Sequence, residues 1–225
     1  MFGWKNKSDK YHHRATEMSG AYDGGLTAAT HGLMAGTRVA SNLGWRAVEA
    51  LAPGDLVLTF DNGMQPIAEV RRSSIWLDAP DTQSNFWPVI VPAGALGNRT
   101  ELTLLAEQGV LVESDAAQDM YGDPFAIVAA TALDGVRGIH RAPPMQQIEL
   151  ITVTFAEEQV VYAEGGALIH CPATSVTLDR FLDTNIPCYE ILDRSNAAFV
   201  VECMVIEDQI LATAGQRDTQ SSAHC

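Results

Sequence analysis

The stretch HGLMAGTRVASNLGWRAVEALAPGDLVLTFDNGMQPI, residues 31–67, decides the fold class. Within it, Ala-Pro-Gly-Asp at 52–55 predicts a type II turn, because proline fixes φ at the second position and glycine allows a positive φ at the third. Apolar and polar residues then alternate over 56–61, the pattern of a β-strand. Asp-Asn-Gly at 61–63 predicts a hairpin-type turn. The stretch therefore indicates antiparallel β-structure with short turns.

The rest of the chain continues this pattern. Further strands are predicted at 65–77, 88–92, 110–113, 148–155 and 159–163, and the last two are predicted to pair as a hairpin. Short helical turns are predicted at 45–51 and 131–133. Apolar residues at helical spacing over 178–182 predict one late helix, followed by two apolar runs at 189–192 and 199–206 and a frayed end at 213–225. The fold class is therefore all-β with a small C-terminal α/β appendage.

Composition limits the classes of partner. The chain has 225 residues, of which 47% are hydrophobic, enough for one buried core. Its net charge of −14 repels phosphate backbones and anionic lipid, so the expected partner is another protein and not nucleic acid. The sequence has no apolar run of about 18 residues, so no membrane span is expected. The N-terminus lacks the apolar core of a secretory signal, which makes the cytoplasm the default, with leaderless export left open.

Three strings in a fixed order carry a resemblance to a known family: VEALAPGDLVLTFDNGMQPI at 48–67, AGALG at 93–97 and VVYAEG at 160–165. The chain resembles the Hint (Hedgehog/intein) domain, above all the bacterial Hint-domain proteins of alphaproteobacteria. The resemblance covers 28–172, which leaves 1–27 as a flexible N-terminal tail and 173–225 as a C-terminal extension with one helix and strands. It implies a horseshoe-like β fold and an ancestral cleavage of the peptide bond just before the domain.

The chemistry that the resemblance implies needs three kinds of group. A Cys or Ser at the first residue attacks the preceding carbonyl. A Ser/Thr-x-x-His element orients the scissile amide, and its histidine protonates the departing nitrogen. Further histidines near the last strands assist. Non-catalytic residues occupy all of these positions in this sequence: Gly32, Ala106, Gly109, Thr152 and Glu158.

The expected consequence is loss of the reaction. Losing a nucleophile alone costs on the order of a millionfold in rate. The sequence therefore favours a Hint-domain protein that has lost self-cleavage and acts as a binding or scaffolding module. Two alternatives stay open: an autoprocessing protein that uses unfamiliar residues, with Thr30 or Thr37 as the nucleophile, and an accessory or cargo protein of a secretion or phage-related system.

The other candidate sites have weaker signals. His170-Cys171 is an adjacent pair, but neighbours on a strand point to opposite faces, so a packed Cys beside a surface His is expected. The acidic stretch 113–123 lacks the spacing of a calcium loop and is expected to be a solvated loop. His12-His13, His31 and His140 are assigned no site. Trp76, Trp87 and Tyr121 are candidates for an apolar groove. No metal and no cofactor are expected.

Overall fold

The structure is a computed structural model that describes residues 31–75, 83–143, 148–174, 189 and 191–222. In these ranges the chain forms fourteen strands and two α-helices. The strands are β1 Leu33–Met34, β2 Arg38–Ser41, β3 Gly44–Ala47, β4 Leu56–Thr59, β5 Gly63–Pro66, β6 Glu69–Ile75, β7 Val89–Val91, β8 Leu102–Leu104, β9 Gly109–Glu113, β10 Phe125–Ala129, β11 His140–Arg141, β12 Ile148–Thr154, β13 Gln159–Ala163 and β14 Ala167–Cys171. The helices are α1 Asp115–Tyr121 and α2 Arg194–Ser222, and short 3-10 turns lie at Val48–Ala50, Ser84–Phe86 and Ala130–Leu133.

The strands form two antiparallel sheets. The first has the order β11-β7-β8-β1-β12-β6, and the second runs β10-β9-β14-β13-β2-β4-β5, with β3 added to β2. β1 lies between β8 and β12 in the first sheet, with Leu33 opposite both Leu104 and Ile151. The chain then passes into the second sheet at β2. This all-β architecture confirms the predicted fold class.

The turns of the opening stretch form as predicted. Gly54 has a φ of 90°, and the Asp55 amide donates to the Ala52 carbonyl at 3.1 Å, which closes the turn before β4. β4 and β5 pair as a hairpin, with Thr59 opposite Gly63. Because proline and glycine set these dihedral angles locally, this part of the fold depends little on distant contacts.

One apolar core joins the two sheets and α2. Buried side chains come from the first sheet (Leu33, Leu102, Leu104, Ile151), the second sheet (Val39, Val161, Ile169) and α2 (Ala197, Val200, Val201, Met204). Burying this much apolar surface is the main stabilising contribution, at about 25 cal/mol per Å². α2 therefore packs onto the β domain through one face, while Phe199, Ile206, Ile210 and Leu211 stay exposed.

The predicted hairpin of 148–155 with 159–163 is wrong. β12 pairs with β1 and β6 in the first sheet, whereas β13 pairs with β14, β2 and β4 in the second. The short link at 155–158 carries the chain from one sheet to the other. The predicted strand at 65–77 also divides into β5, which pairs in the second sheet, and β6, which pairs in the first, with the buried Ile67 between them.

The C-terminal region differs from its prediction as well. The apolar run 199–206 lies inside α2, and the helix continues to Ser222 through the stretch predicted to fray. Asp193 explains where α2 begins: its Oδ1 accepts from the amides of Ser195 and Asn196 at 2.8 and 3.0 Å, as a helix N-cap does. The predicted helix at 178–182 lies outside the described residues. In the described part of the chain, neither helix combines the length and apolarity needed to cross a membrane.

Asn98 fixes the loop between β7 and β8. Its side chain is buried, its Nδ2 donates to the carbonyls of Val91, Pro92 and Thr100, and its Oδ1 accepts from the Leu96 amide. These bonds satisfy backbone groups that would otherwise be buried without partners, which costs about 1–3 kcal/mol for each group.

We therefore expect Asn98→Ala to lower the free energy of unfolding by roughly 1–3 kcal/mol, measured by urea denaturation. Asn85→Ala is the matched control, because Asn85 is exposed and its loss should stay within about 0.5 kcal/mol. Equal effects of the two substitutions would contradict a structural role for Asn98.

Candidate functional site

Gln108 organises the start of β1. Its side chain is fully buried, and its Oε1 accepts a hydrogen bond from the Gly32 amide at 2.9 Å. Its Nε2 donates to the His170 carbonyl at 2.7 Å and to its own neighbour Gly109 at 3.3 Å. One carboxamide therefore ties the peptide bond before β1 to β14, using both of its polar atoms.

Gly32 sits where the family resemblance places the nucleophile, and Leu150 fills the space beside it. Gly32 has a φ of 150°, a conformation that favours glycine. A Cβ built on it would lie 2.8 Å from the Leu150 Cγ, closer than real side chains approach. Leu150 is itself buried on β12, where it pairs with Met34. A serine or cysteine side chain at position 32 has no room in this arrangement.

Thr152 contacts the other half of the same peptide bond. Its Oγ1 donates to the His31 carbonyl at 3.3 Å. Thr152 lies two residues along β12 from Leu150, so both side chains point to the same side of the sheet. The His31–Gly32 peptide is thus held by Thr152 at its oxygen and by Gln108 at its nitrogen.

Two imidazoles and a carboxylate lie next to this peptide. The rings of His31 and His170 meet edge to face, with centroids 5.8 Å apart, and the Tyr189 ring packs on the His170 ring at 6.0 Å. The His170 Nε2 lies 3.8 Å from the Glu158 Oε2, within ion-pair range but too far for a hydrogen bond. Glu158 also accepts from the Tyr189 amide at 3.2 Å.

The histidines of this cluster are held in the neutral form. Burial lowers the pKa of His31, against a smaller opposing effect of the Glu158 charge. Burial also lowers the pKa of His170, Glu158 raises it, and His31 lowers it again. Three ring nitrogens have no hydrogen-bond partner among the described residues: both nitrogens of His170 and the Nδ1 of His31. At neutral pH these imidazoles are therefore in the basic form, whose remaining N–H is too weak an acid to protonate a leaving nitrogen.

The structure brings together only part of the set of positions predicted from the sequence. Gly32 and Thr152 meet at the His31–Gly32 peptide, and Glu158 lies one contact further away, beside His170. Gln108, which the sequence comparison passed over, contacts the Gly32 amide, and Gly109 instead leaves room for His170, since a Cβ there would lie 3.0 Å from the His170 Cβ. Ala106 is buried, with its carbonyl accepting from Thr131.

Two expectations about histidines are corrected. His170 was expected at the surface, but it is only 5% exposed, and His31 was expected to stand alone, but it packs on His170. Both contacts join residues far apart in sequence, so no local pattern reveals them. The two weak alternative nucleophiles differ in status. Thr30 lies outside the described residues, and Thr37 is buried in the turn before β2, where its carbonyl accepts from Val48.

The remaining candidates do not gain a catalytic arrangement. Cys171 is buried in the apolar core, which raises the pKa of its thiol to about 12. The acidic stretch predicted as a loop forms α1, capped by Ser114, whose side chain accepts from the Ala116 amide. Among the described residues, no three His, Cys, Asp or Glu side chains are placed to hold a metal ion.

The aromatic residues proposed for a groove are only partly described. Tyr121 is exposed at the end of α1, and Trp87 is partly buried after a short 3-10 turn. Trp76 lies outside the described residues, as do His12, His13, Cys188 and Cys225. The groove of the three aromatics therefore stays a prediction.

Two antiparallel sheets, with the first strand held between β8 and β12, define an all-β domain. The Hint domain family model matches residues 31–168 of this sequence. The chain belongs to the Hint domain family. None of the curated proteins compared matches it.

Similar solved structures include an intein-like domain from Clostridium thermocellum, with 12% identity and a TM-score of 0.43 over 62% of this chain and 97% of that domain. The MchDnaB-1 intein has 12% identity and a TM-score of 0.38, over 61% and 98% of the two chains. The gp41-1 intein has 17% identity and a TM-score of 0.31, over 62% and 97%. The family assignment rests on the sequence match.

The contact between Gly32 and Leu150 gives a stability prediction. Gly32→Ala should lower the free energy of unfolding by about 1–3 kcal/mol through overpacking, in addition to backbone strain. Gly36→Ala is the control, because Gly36 also has a positive φ but a Cβ there meets nothing within 4 Å. We expect Gly32→Ala to cost more than Gly36→Ala in urea denaturation.

The double variant Gly32→Ala with Leu150→Ala tests the contact itself. Leu150→Ala frees the space that the new Cβ needs. The loss in free energy of unfolding in the double variant should therefore be smaller than the sum of the two single losses, by about 0.5–3 kcal/mol. Strict additivity would show that Leu150 does not block position 32.

The buried histidines predict a dependence of stability on pH. A histidine whose pKa is lower in the folded protein binds its proton more tightly when unfolded, so the free energy of unfolding falls as pH drops below about 6.5. The loss continues until the pKa of the folded state is passed, at up to about 1.4 kcal/mol per pH unit for each histidine. His170→Leu should make this slope shallower, measured by urea unfolding between neutral and mildly acidic pH. Parallel slopes for wild type and variant would contradict burial of a neutral His170.

Proposed function

We propose that this protein is a Hint domain that no longer cuts itself and serves as a binding or scaffolding module for another protein. The observation that carries the proposal is the contact between Gly32 and Leu150. The residue that would attack the preceding carbonyl has no side chain, and the space for one is filled by a buried leucine. An acyl shift at this bond has neither the nucleophile nor the room for it.

The groups around the bond support the same conclusion. A departing backbone nitrogen must receive a proton, because an amide anion is a very poor leaving group. Gln108 faces this nitrogen with a carbonyl oxygen that accepts its hydrogen, and a carboxamide does not supply a proton at neutral pH. The nearby imidazoles are kept neutral by burial. These contacts position the peptide bond, but they lack an acid.

Exposed apolar side chains on α2 support the binding role. Phe199, Ile206 and Ile210 lie outside the core and are each about half exposed or more, at 48%, 55% and 61%. Apolar patches of this kind mark contact surfaces for other proteins. The net charge of −14 disfavours nucleic acid as the partner.

One observation favours a second function, autoprocessing by an unfamiliar residue. The Thr152 hydroxyl touches the His31 carbonyl beside two imidazoles that lack hydrogen-bond partners among the described residues. Attack would join the Thr152 Oγ1 to the His31 carbonyl carbon and break its bond to the Gly32 nitrogen, with the hydroxyl proton passing to a neighbouring imidazole and from there to that nitrogen. Against this, the hydroxyl now donates to the carbonyl oxygen, which is the geometry of a binding contact.

Intact-mass measurement tests both functions. Purified wild-type protein incubated with and without hydroxylamine should keep its full mass and its N-terminus. Thr152→Val is the matched variant, because it removes the hydroxyl at nearly constant volume. A time-dependent break between His31 and Gly32 would contradict the proposal, and its disappearance in Thr152→Val would establish the second function.

Affinity capture from the native host tests the binding role. A partner retained by wild type and lost from Ile206→Glu, which changes an exposed side chain, would support a contact surface on α2. Glu202→Gln, which changes a neighbouring exposed position of the same helix, controls for nonspecific effects. Equal retention by all three proteins would place the contact elsewhere.

A further inference from the structure

A concave site lies on the far side of Tyr189 from His170 and shares none of the residues that contact the Gly32 peptide. Its volume is about 270 Å³. The turn after β4, the segment from the end of α1 to the start of β10, and Tyr189, which lies five positions before α2, contribute its polar and aromatic wall. Those wall residues are Phe60, Asp61, Tyr121, Asp123, Phe125 and Tyr189.

Aromatic rings form much of this wall. Phe60 and Phe125 meet edge to face, with centroids 4.8 Å apart and planes at 71°. Their side chains are only partly buried, and Tyr121 is exposed, so the site is open to solvent. Edge-to-face packing leaves ring faces available to a ligand, and each face carries the negative part of the ring quadrupole.

Two carboxylates complete the wall, and they have no cation opposite them. Asp61 accepts a hydrogen bond from the Tyr189 hydroxyl, and Asp123 accepts from the Phe125 amide at 2.9 Å. None of the described residues that line the site is a Lys, Arg or His. Burial raises the pKa of Asp61, and the nearby Asp123 charge raises it further.

Three other aspartates of the fold form ion pairs with arginine. Asp55 pairs with Arg46 at 2.9 Å, Asp134 with Arg141 at 2.7 Å and Asp208 with Arg137 at 2.6 Å. Asp61 and Asp123 therefore differ from these residues in facing a concave aromatic surface instead of an arginine.

We propose that this aromatic–acidic pocket binds an organic ammonium group, carried by a lysine side chain of a partner protein or by a small amine. Ring faces attract a cation through their quadrupoles, and the carboxylates attract it by charge. This inference adds a ligand class to the proposed binding role. It rests on that role only where the ammonium group belongs to a partner protein.

The chemistry of the wall disfavours other ligands. Calcium and magnesium take six or more oxygen ligands, whereas this wall offers two carboxylates among hydrocarbon rings. A wholly apolar ligand would cover the carboxylates without pairing them, which is unfavourable. An ammonium group with an alkyl stem satisfies both parts of the wall.

Binding can be measured by saturation-transfer NMR and titration at low ionic strength. The probes are the tripeptide acetyl-Gly-Lys-Gly-amide, propylammonium as the small amine, and acetyl-Gly-norleucine-Gly-amide as the uncharged analogue of the first. We expect both cationic probes to bind, the norleucine peptide to bind much more weakly, and added salt to weaken the cationic probes by screening.

Two variants test the wall at exposed positions, where the fold should tolerate the change. Asp123→Asn should weaken binding about two- to fivefold, the range of an exposed ion pair. Tyr121→Leu should weaken it by a similar factor of about two to five through loss of a ring face. Asp119→Asn is the matched control, because it removes the same charge from α1 at a residue outside the wall, and it should leave binding unchanged.

The outcomes separate this proposal from the proposed function. Failure of both cationic probes, equal binding of the norleucine peptide, or equal weakening by Asp119→Asn overturns the pocket. If propylammonium binds but the lysine peptide does not, the ammonium site stands and its ligand is a small amine. Self-cleavage is measured independently by intact mass, so a chain that cuts itself would overturn the proposed function and leave this result standing.

Discussion

The Gln108 side chain joins parts of the β domain that lie far apart in sequence. It is buried completely, and it binds the Gly32 amide before β1 and the His170 carbonyl on β14. A buried carboxamide is tolerated only when its polar atoms are paired, because each unpaired one costs about 1–3 kcal/mol. The position of β1 between β8 and β12, and with it the packing of Leu33 in the core, therefore depends on this residue.

The same constraint explains how the site can be polar and ordered without relying on reactive side chains. Gln108 and Thr152 fix the two sides of the His31–Gly32 peptide, so its orientation does not require a reactive group. Leu150 completes the packing around Gly32. The stability of the frame comes from apolar burial and paired polar groups, and neither depends on catalysis. A domain of this family can lose the reaction and keep its fold.

Sequence patterns predicted what is encoded locally. The turn at 52–55 and the β4–β5 hairpin follow from Pro, Gly and Asn residues that set their own dihedral angles, and β13 spans the predicted 159–163. Strand partners could not be predicted in this way, because the alternation of residues within β12 or β13 does not indicate which sheet each strand joins. The run 199–206 is rich in valine and isoleucine and so resembles a strand, but packing against the core and the Asp193 cap make it helical.

The site was predictable only in part for a related reason. Thr152 and Glu158 were identified because β12 and the link to β13 match the family pattern without a gap. Gln108 was missed because its contact with the Gly32 amide spans 76 positions in sequence, and no local pattern marks a glutamine for such a role. The contact between His31 and His170 joins different ends of the domain, and it arises only once both sheets are assembled.

Tyr189 connects the site around Gly32 with the aromatic–acidic pocket. Its ring packs on His170, its amide donates to Glu158, and its hydroxyl donates to Asp61. A cation held between Asp61 and Asp123 would favour the ionised form of Asp61, which is the stronger acceptor for the tyrosine hydroxyl. Binding at the pocket would then also hold Tyr189 more firmly against His170. The proposed binding role and the proposed ammonium pocket would therefore be linked through one side chain, which contacts both His170 and Asp61.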